Sequence, residues 1–140
     1  LNDTYVYFSA KGKEAKYRQE QEDNNAMKSA PSAAVQRAGA KATEFYNNSS
    51  WDLVDASKDE EFDLSKVDKK DLPEELQNLS EQEIKTFIDK KEKERESIKE
   101  EIKKYEKMRN DFLITNTDST VKHTFGSALL QSIKMELKIK

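Results

Sequence analysis

The sequence predicts a mainly α-helical protein: a long, charged antiparallel helical hairpin or bundle with a strand or hairpin at its N-terminus. Three observations predict this class. No proline or glycine interrupts residues 80–114, which favours one helix of about 50 Å at a rise of 1.5 Å per residue. Apolar residues recur at helical spacing along several segments. With 38% charged residues and a mean hydropathy of −1.03, the chain is too polar for a large self-contained core.

The N-terminal part, residues 1–30, is expected to hold a strand and a polar linker. Residues 5–8 (YVYF) combine aromatic and β-branched side chains, which is typical of a strand. Such a strand needs a partner for its backbone, either residues 13–18 or a sheet elsewhere. Residues 18–30 are polar and lack apolar periodicity, which indicates a linker or a frayed helix.

Residues 31–140 are expected to form a helical module. Pro31 and the small apolar residues that follow it at helical spacing predict a helix over about 32–46. Ser50 is a suitable cap for a short helix that carries Trp51 and Leu53.

The connection to the long helix is expected to be irregular. Residues 57–71 are acidic and should lie over the surface with Phe62, Leu64 and Val67 pointing inward. A further helix is expected to start at Asp71, which would be its cap.

The long helix is predicted over about 80–114. Ser80 and Glu83 form a capping box at its start. Its seam alternates steps of four and three residues, a heptad pattern that basic residues interrupt; the seam consists of Ile84, Ile88, Lys91, Arg95, Ile98, Ile102, Tyr105, Arg109 and Phe112. Between Asp89 and Arg109, sixteen of twenty-one residues are charged, so the middle of the helix should be solvated. A final helix with Leu129 is expected to fold back onto the end of the long one.

Composition excludes several classes of site. The chain has no cysteine, one histidine (His123) and three separated glycines, which excludes thiolate or multi-histidine metal sites and glycine-rich phosphate loops. The 25 basic and 28 acidic residues are interleaved, so no nucleic-acid interface is expected, and no apolar run is long enough for membrane insertion. No acid–base or nucleophile arrangement is visible. We therefore expect no enzyme, no catalytic or metal-binding residue and no cofactor.

The order of segments resembles the C-terminal region that follows the von Willebrand factor A (vWA) domain in exported bacterial proteins. The motifs that carry the resemblance are DLVDA at 52–56, LPEEL at 72–76 and MRNDF at 108–112. The resemblance implies a periplasmic or cell-surface parent whose upstream domain binds a divalent metal through an Asp-x-Ser-x-Ser loop. No such loop occurs in this chain, so that metal site cannot be transferred to any residue here. Because residue 1 is Leu, we expect a processed chain or a fragment of a longer one.

The expected function is a non-catalytic structural or protein-interaction module, whose partner is another protein or an upstream domain of the same chain. The alternative is a self-associating coiled-coil module, a homo-oligomer that pairs the isoleucines of the long helix across chains. The residues expected to carry packing or interaction are Trp51, Leu53, Ile98, Ile102, Tyr105, Phe112 and Leu129, with Phe45 as a further core residue.

Overall fold

The computed structural model describes residues 1–116, and this part of the chain is mainly α-helical, as predicted. Its helices are α1 (Gly12–Ser29), α2 (Pro31–Lys41), α3 (Leu53–Ala56), α4 (Glu74–Gln77) and α5 (Glu81–Asn116), with single 3₁₀ turns at Asn2–Thr4, Leu64–Lys66 and Lys69–Asp71. The chain divides into a compact unit, Leu1–Glu106, and a second unit that begins at Lys107. Of the second unit, the described part is the end of α5. The predicted final helix, with Leu129 and the fold-back onto the long helix, lies outside the described residues.

The predicted N-terminal strand is a single β-bridge, which corrects the expectation for residues 5–8. Tyr7 pairs with Asp52 in an isolated antiparallel bridge. The Phe8 amide donates to the Trp51 carbonyl at 2.9 Å, and the Leu53 amide donates to the Val6 carbonyl at 2.8 Å. The ladder stops there because α3 begins directly after Asp52. This segment therefore finds its backbone partner inside the chain, in the residues before α3.

Of the two alternatives for residues 18–30, a linker or a frayed helix, the structure has a helix, α1, which begins already at Gly12. Its 18 residues have almost no apolar stripe, but Lys, Glu, Gln and Arg are good helix formers. At its start, Gly12 approaches the Trp51 carbonyl so closely that an added Cβ would lie 3.3 Å from that oxygen. The helix ends before Ala30, which is extended (φ −160°, ψ 118°), since the residue before a proline avoids the helical region.

Helices α2 and α3 differ from the predicted ones in their ends. Pro31 opens α2 as predicted, but this helix stops at Lys41 and not near residue 46. Asp52, not Ser50, caps α3, because its side chain accepts a hydrogen bond from the Asp55 amide at 3.2 Å.

The hydrophobic core joins the N-terminal segment, α3, α4 and the first turns of α5. Its buried members are Val6, Leu53, Val54, Leu72, Leu76, Ile84 and Ile88. Phe62, Leu64 and Val67 pack against this cluster from the connecting segment, as predicted. The capping box is also confirmed: the Ser80 amide donates to Glu83 at 2.8 Å, and the Glu83 amide donates to the Ser80 hydroxyl at 3.3 Å. Helix α5 thus begins where the sequence predicts and fixes one side of the core.

Candidate functional site

The residues expected to carry packing or interaction differ in how deeply they are buried. Leu53 is fully buried, whereas Trp51 is half-buried and packs its ring 5.3 Å from that of Tyr5. Ile98 and Ile102 are half-buried on α5. Leu129 lies outside the described residues.

Three of the predicted aromatic residues are exposed. Phe45 is 97% exposed in the turn after α2, so its assignment to the core is wrong. Tyr105, at 64% exposure, is not a core residue either. The turn holds Phe45 outward because α2 ends at Lys41, about five residues earlier than the apolar periodicity indicates. Phe112, in the second unit, is 64% exposed.

The largest fully buried side chain of the described chain is that of Arg95, which is 2% exposed. It lies in the middle of α5, in the seam that also carries Ile84 and Ile88. Steps of four and three residues along a helix keep side chains on one face, so the face that packs against the core also carries the guanidinium group. A buried cation of this kind needs partners.

Two carboxylates, one from the cap of α3 and one from within it, supply the charge partners of Arg95. Its Nη1 donates to Asp52 Oδ2 at 2.7 Å and to Asp55 Oδ1 at 2.8 Å. Asp52 and Asp55 are three residues apart, so one turn of helix turns both toward α5. Their remaining oxygens are also used: Asp52 accepts from the Val6 amide at 2.8 Å, and Asp55 accepts from the Asn48 amide at 2.9 Å.

The N-terminal segment completes the cluster. Arg95 Nε donates to the Thr4 hydroxyl at 3.0 Å, and Nη2 donates to the Thr4 carbonyl at 2.7 Å. The guanidinium carbon lies 4.8 Å from the centre of the Tyr5 ring, within range of a cation–π contact. We call Arg95, Asp52, Asp55 and Thr4 the Arg95 cluster. It joins the chain start, α3 and α5 at one buried point.

The charges of the Arg95 cluster suit it to hold segments together. Burial acts to lower the pKa of Arg95, but the hydrogen bond and charge of Asp52, with the charge of Asp55, outweigh burial and raise that pKa above its ordinary value. An arginine does not release its proton in a folded protein. Arg95 therefore keeps its charge, and its hydrogen bonds link residues that are 91 positions apart.

A second polar cluster joins α1 to α2 and to the chain start. Asp23 on α1 accepts from Lys41 Nζ at 2.6 Å, from Asn2 Nδ2 at 2.8 Å and from Arg37 Nε. Lys41, which is 4% exposed, also donates to Asn2 Oδ1 at 2.7 Å and lies 5.2 Å from the centre of the Tyr5 ring. The Tyr5 ring thus lies near two cations, Lys41 from this cluster and Arg95 from the Arg95 cluster. Apolar periodicity does not point to this cluster, because an isolated Asp on a polar helix such as α1 carries no periodic signal.

The contacts of Asp23 predict a loss of stability in acid. Burial raises the pKa of Asp23, but the hydrogen bonds from Lys41, Arg37 and Asn2 lower it by more, so it lies below its ordinary value. A carboxylate whose pKa is lower in the folded chain stabilises the fold above its unfolded pKa of about 3.9 and loses this effect as the pH falls further. We expect Asp23→Asn to cost about 1–2 kcal/mol near neutral pH, measured by urea unfolding.

The difference between Asp23→Asn and the unmodified chain should shrink below about pH 4, where Asp23 itself takes up a proton. Asp89→Asn, at an exposed position on α5, is the matched control and should change stability by less than about 0.5 kcal/mol. A difference that stays constant down to about pH 2 would contradict this assignment, since the unfolded carboxyl is protonated there.

In a comparison with known proteins, no family model, curated protein or solved structure matches the chain. Within residues 1–116, no group of three or more histidine, cysteine or acidic side chains is placed to hold a metal ion. No helix in the described part of the chain is long and apolar enough to cross a membrane.

Proposed function

We propose that this chain is a non-catalytic structural or protein-interaction module, and that it forms the C-terminal part of an exported bacterial protein with a vWA domain, in the periplasm or at the cell surface. One observation carries the proposal. Each buried charged side chain in the described part of the chain is paired with another segment of the same chain: Arg95 with Asp52 and Asp55, and Lys41 with Asp23. Charges paired in this way stabilise an arrangement of segments.

The motifs behind the vWA resemblance support a structural role. In the DLVDA motif, Asp52 and Asp55 bind Arg95, and the three apolar residues between and after them are buried. In the LPEEL motif, Leu72 and Leu76 belong to the core. Two of the three motifs that carry the resemblance, DLVDA and LPEEL, therefore contribute to holding this fold together, whereas Met108 and Phe112 of the third motif are exposed.

In such a parent protein, the module would hold its upstream domain at a defined place. The segment that leads into the module is tied to α5 by two hydrogen bonds between Arg95 and Thr4, and Lys41 binds Asn2. An upstream domain would thus be connected through an anchored segment. The upstream domain is accordingly the partner that we propose first.

The test begins with the reading frame that encodes the chain. We expect the codons upstream of Leu1 to encode an Asp-x-Ser-x-Ser loop, and we expect the upstream domain, produced separately, to bind the chain in isothermal titration calorimetry. An upstream frame without this loop would refute the vWA assignment. A vWA domain that does not bind the chain would refute the proposed partner.

A self-associating coiled coil is the alternative, and it conflicts with the use of the seam within the chain. Ile84 and Ile88, which would start the pairing, are 2% and 3% exposed in the core of their own chain. We expect sedimentation equilibrium to give one monomer mass over a hundredfold range of concentration. A mass that rises with concentration, and that Ile98→Asp with Ile102→Asp returns to the monomer value, would favour the coiled coil instead.

A further inference from the structure

A cleft of about 470 Å³ lies between the turn that precedes α1 and the residues that precede α3. Its apolar surface comes from Ala10, Ala15 and Trp51, and two cations, Lys11 and Arg18, line it as well. Trp51 is held in place by two contacts: its ring packs against that of Tyr5, and its carbonyl accepts a hydrogen bond from the Phe8 amide. The aromatic side chain therefore belongs to a fixed wall of the cleft.

The charge of this cleft sets it apart from the others. No acidic residue lines it, whereas three other large clefts in the described part of the chain each contain at least two carboxylates. This difference stands out in a chain whose net charge is −3. Helix α1 also begins here, at Gly12, without a side-chain cap, so the positive end of its dipole adds to the two cations.

Both cations are available to a ligand. Arg18 pairs with Glu14 at 3.0 Å, but both side chains are more than 60% exposed, and an exposed pair of this kind contributes only about 0.2–1 kcal/mol. A carboxylate from a ligand can replace Glu14 at little cost. Lys11 is exposed at the start of α1.

We propose that this cleft, which we call the Trp51 cleft, binds a peptide segment of a partner protein in which acidic residues flank an apolar side chain. The apolar side chain would contact Trp51, Ala10 and Ala15, and the flanking carboxylates would pair with Lys11 and Arg18. This inference rests on the proposed function of a protein-interaction module and names the chemistry of its partner. The charges select an acidic segment, and the tryptophan selects an apolar or aromatic side chain within it.

The only tryptophan of the chain lies in the cleft, so intrinsic fluorescence reports binding directly. The probe is the capped peptide Glu-Glu-Leu-Phe-Glu-Glu, titrated into the full 140-residue chain. We expect a saturable change in Trp51 fluorescence, with a Kd at least tenfold lower than for Gln-Gln-Leu-Phe-Gln-Gln or Lys-Lys-Leu-Phe-Lys-Lys. The affinity should fall as salt is raised, because exposed charges are screened. Absence of a saturable change, or equal affinity for the three peptides, overturns the proposal.

A pair of double variants separates the cleft from the overall charge of the chain. Lys11→Gln with Arg18→Gln should weaken binding of the acidic peptide at least tenfold. Lys13→Gln with Lys28→Gln removes two exposed charges from the same helix outside the cleft and should change the Kd less than twofold. Equal weakening in both double variants refutes the cleft as the site. Circular dichroism of both variants verifies that α1 remains folded.

The outcome is independent of the test of the proposed function. If the upstream domain binds the chain and the acidic peptide does not, the Trp51 cleft is rejected and the proposed function stands. If the acidic peptide binds at the cleft but no vWA domain precedes the chain, the vWA assignment is rejected and the binding site stands.

Discussion

Replacing Arg95 with methionine is expected to lower the free energy of unfolding by about 3–5 kcal/mol, the cost typical of removing one partner from a buried ion pair. The substitution leaves Asp52 and Asp55 buried without their cation and removes two hydrogen bonds to Thr4. A loss of this size is a large part of the total stability of a small domain. Urea unfolding followed by far-ultraviolet circular dichroism measures it.

Arg109→Met is the matched control for Arg95→Met, since Arg109 is an exposed arginine on the same helix. It should change stability by less than about 0.5 kcal/mol. A loss of unfolding free energy below about 1 kcal/mol in Arg95→Met would contradict the structural role of the Arg95 cluster, because removing one partner of a buried ion pair leaves the other charge buried and unpaired.

The pH dependence of Arg95→Met provides a second readout. Burial raises the pKa of Asp52 above its ordinary value even against the hydrogen bond from Arg95, and removal of Arg95 takes away the main opposing group. A carboxyl whose pKa is higher in the folded chain than in the unfolded chain gains protons on folding, so its contribution to stability grows as the pH falls. We therefore expect the deficit of Arg95→Met to be smaller near pH 5 than near pH 7. A deficit that grows in acid would show that Asp52 is not the group left without a partner.

The elements that the sequence predicts well are those with local signals. The capping box at Ser80 and the absence of proline and glycine define the start and continuity of α5. Helix α1 has no such apolar signal, and its place in the fold depends on contacts such as Asp23 with Lys41, 18 residues away. Periodicity describes which face of a helix is apolar, so it misses a helix that is attached through polar side chains.

Helical periodicity does not identify the Arg95 cluster either. Arg95 occupies a position of the apolar seam, and a basic residue there is most simply explained as a solvated break. Its partners Asp52 and Asp55 lie 43 and 40 residues away, and charge alone does not say which of 28 acidic residues pairs with which cation. The sequence carries one partial signal: Asp52 and Asp55 flank Leu53 and Val54, and aspartates buried in so apolar a segment need charge or hydrogen-bond partners.

The second large effect is expected at Leu53, for which Phe45 is the natural comparison. Both were predicted to be core residues from composition and spacing, but Leu53 has no exposed surface and Phe45 is 97% exposed. Leu53→Ala should lower the free energy of unfolding by about 2–5 kcal/mol, because it removes buried methyl groups and leaves a cavity among Val6, Leu76 and their neighbours. Phe45→Ala should change it by less than about 0.5 kcal/mol. Urea unfolding of both variants gives the two values.

Comparing the losses of unfolding free energy in Leu53→Ala and Phe45→Ala tests where the core lies, and the comparison needs no binding partner. Core packing around Leu53 also fixes the β-bridge, since its amide donates to the Val6 carbonyl at 2.8 Å, so Leu53→Ala should loosen the N-terminal segment and alter the fluorescence of the adjacent Trp51. A loss above about 2 kcal/mol in Phe45→Ala would place that ring in a core and contradict the fold. Truncating an exposed phenylalanine removes few buried contacts, so the stability of Phe45→Ala should change little. A small effect in Phe45→Ala and a large effect in Leu53→Ala together indicate that the chain turns outward after Lys41 and returns inward at α3.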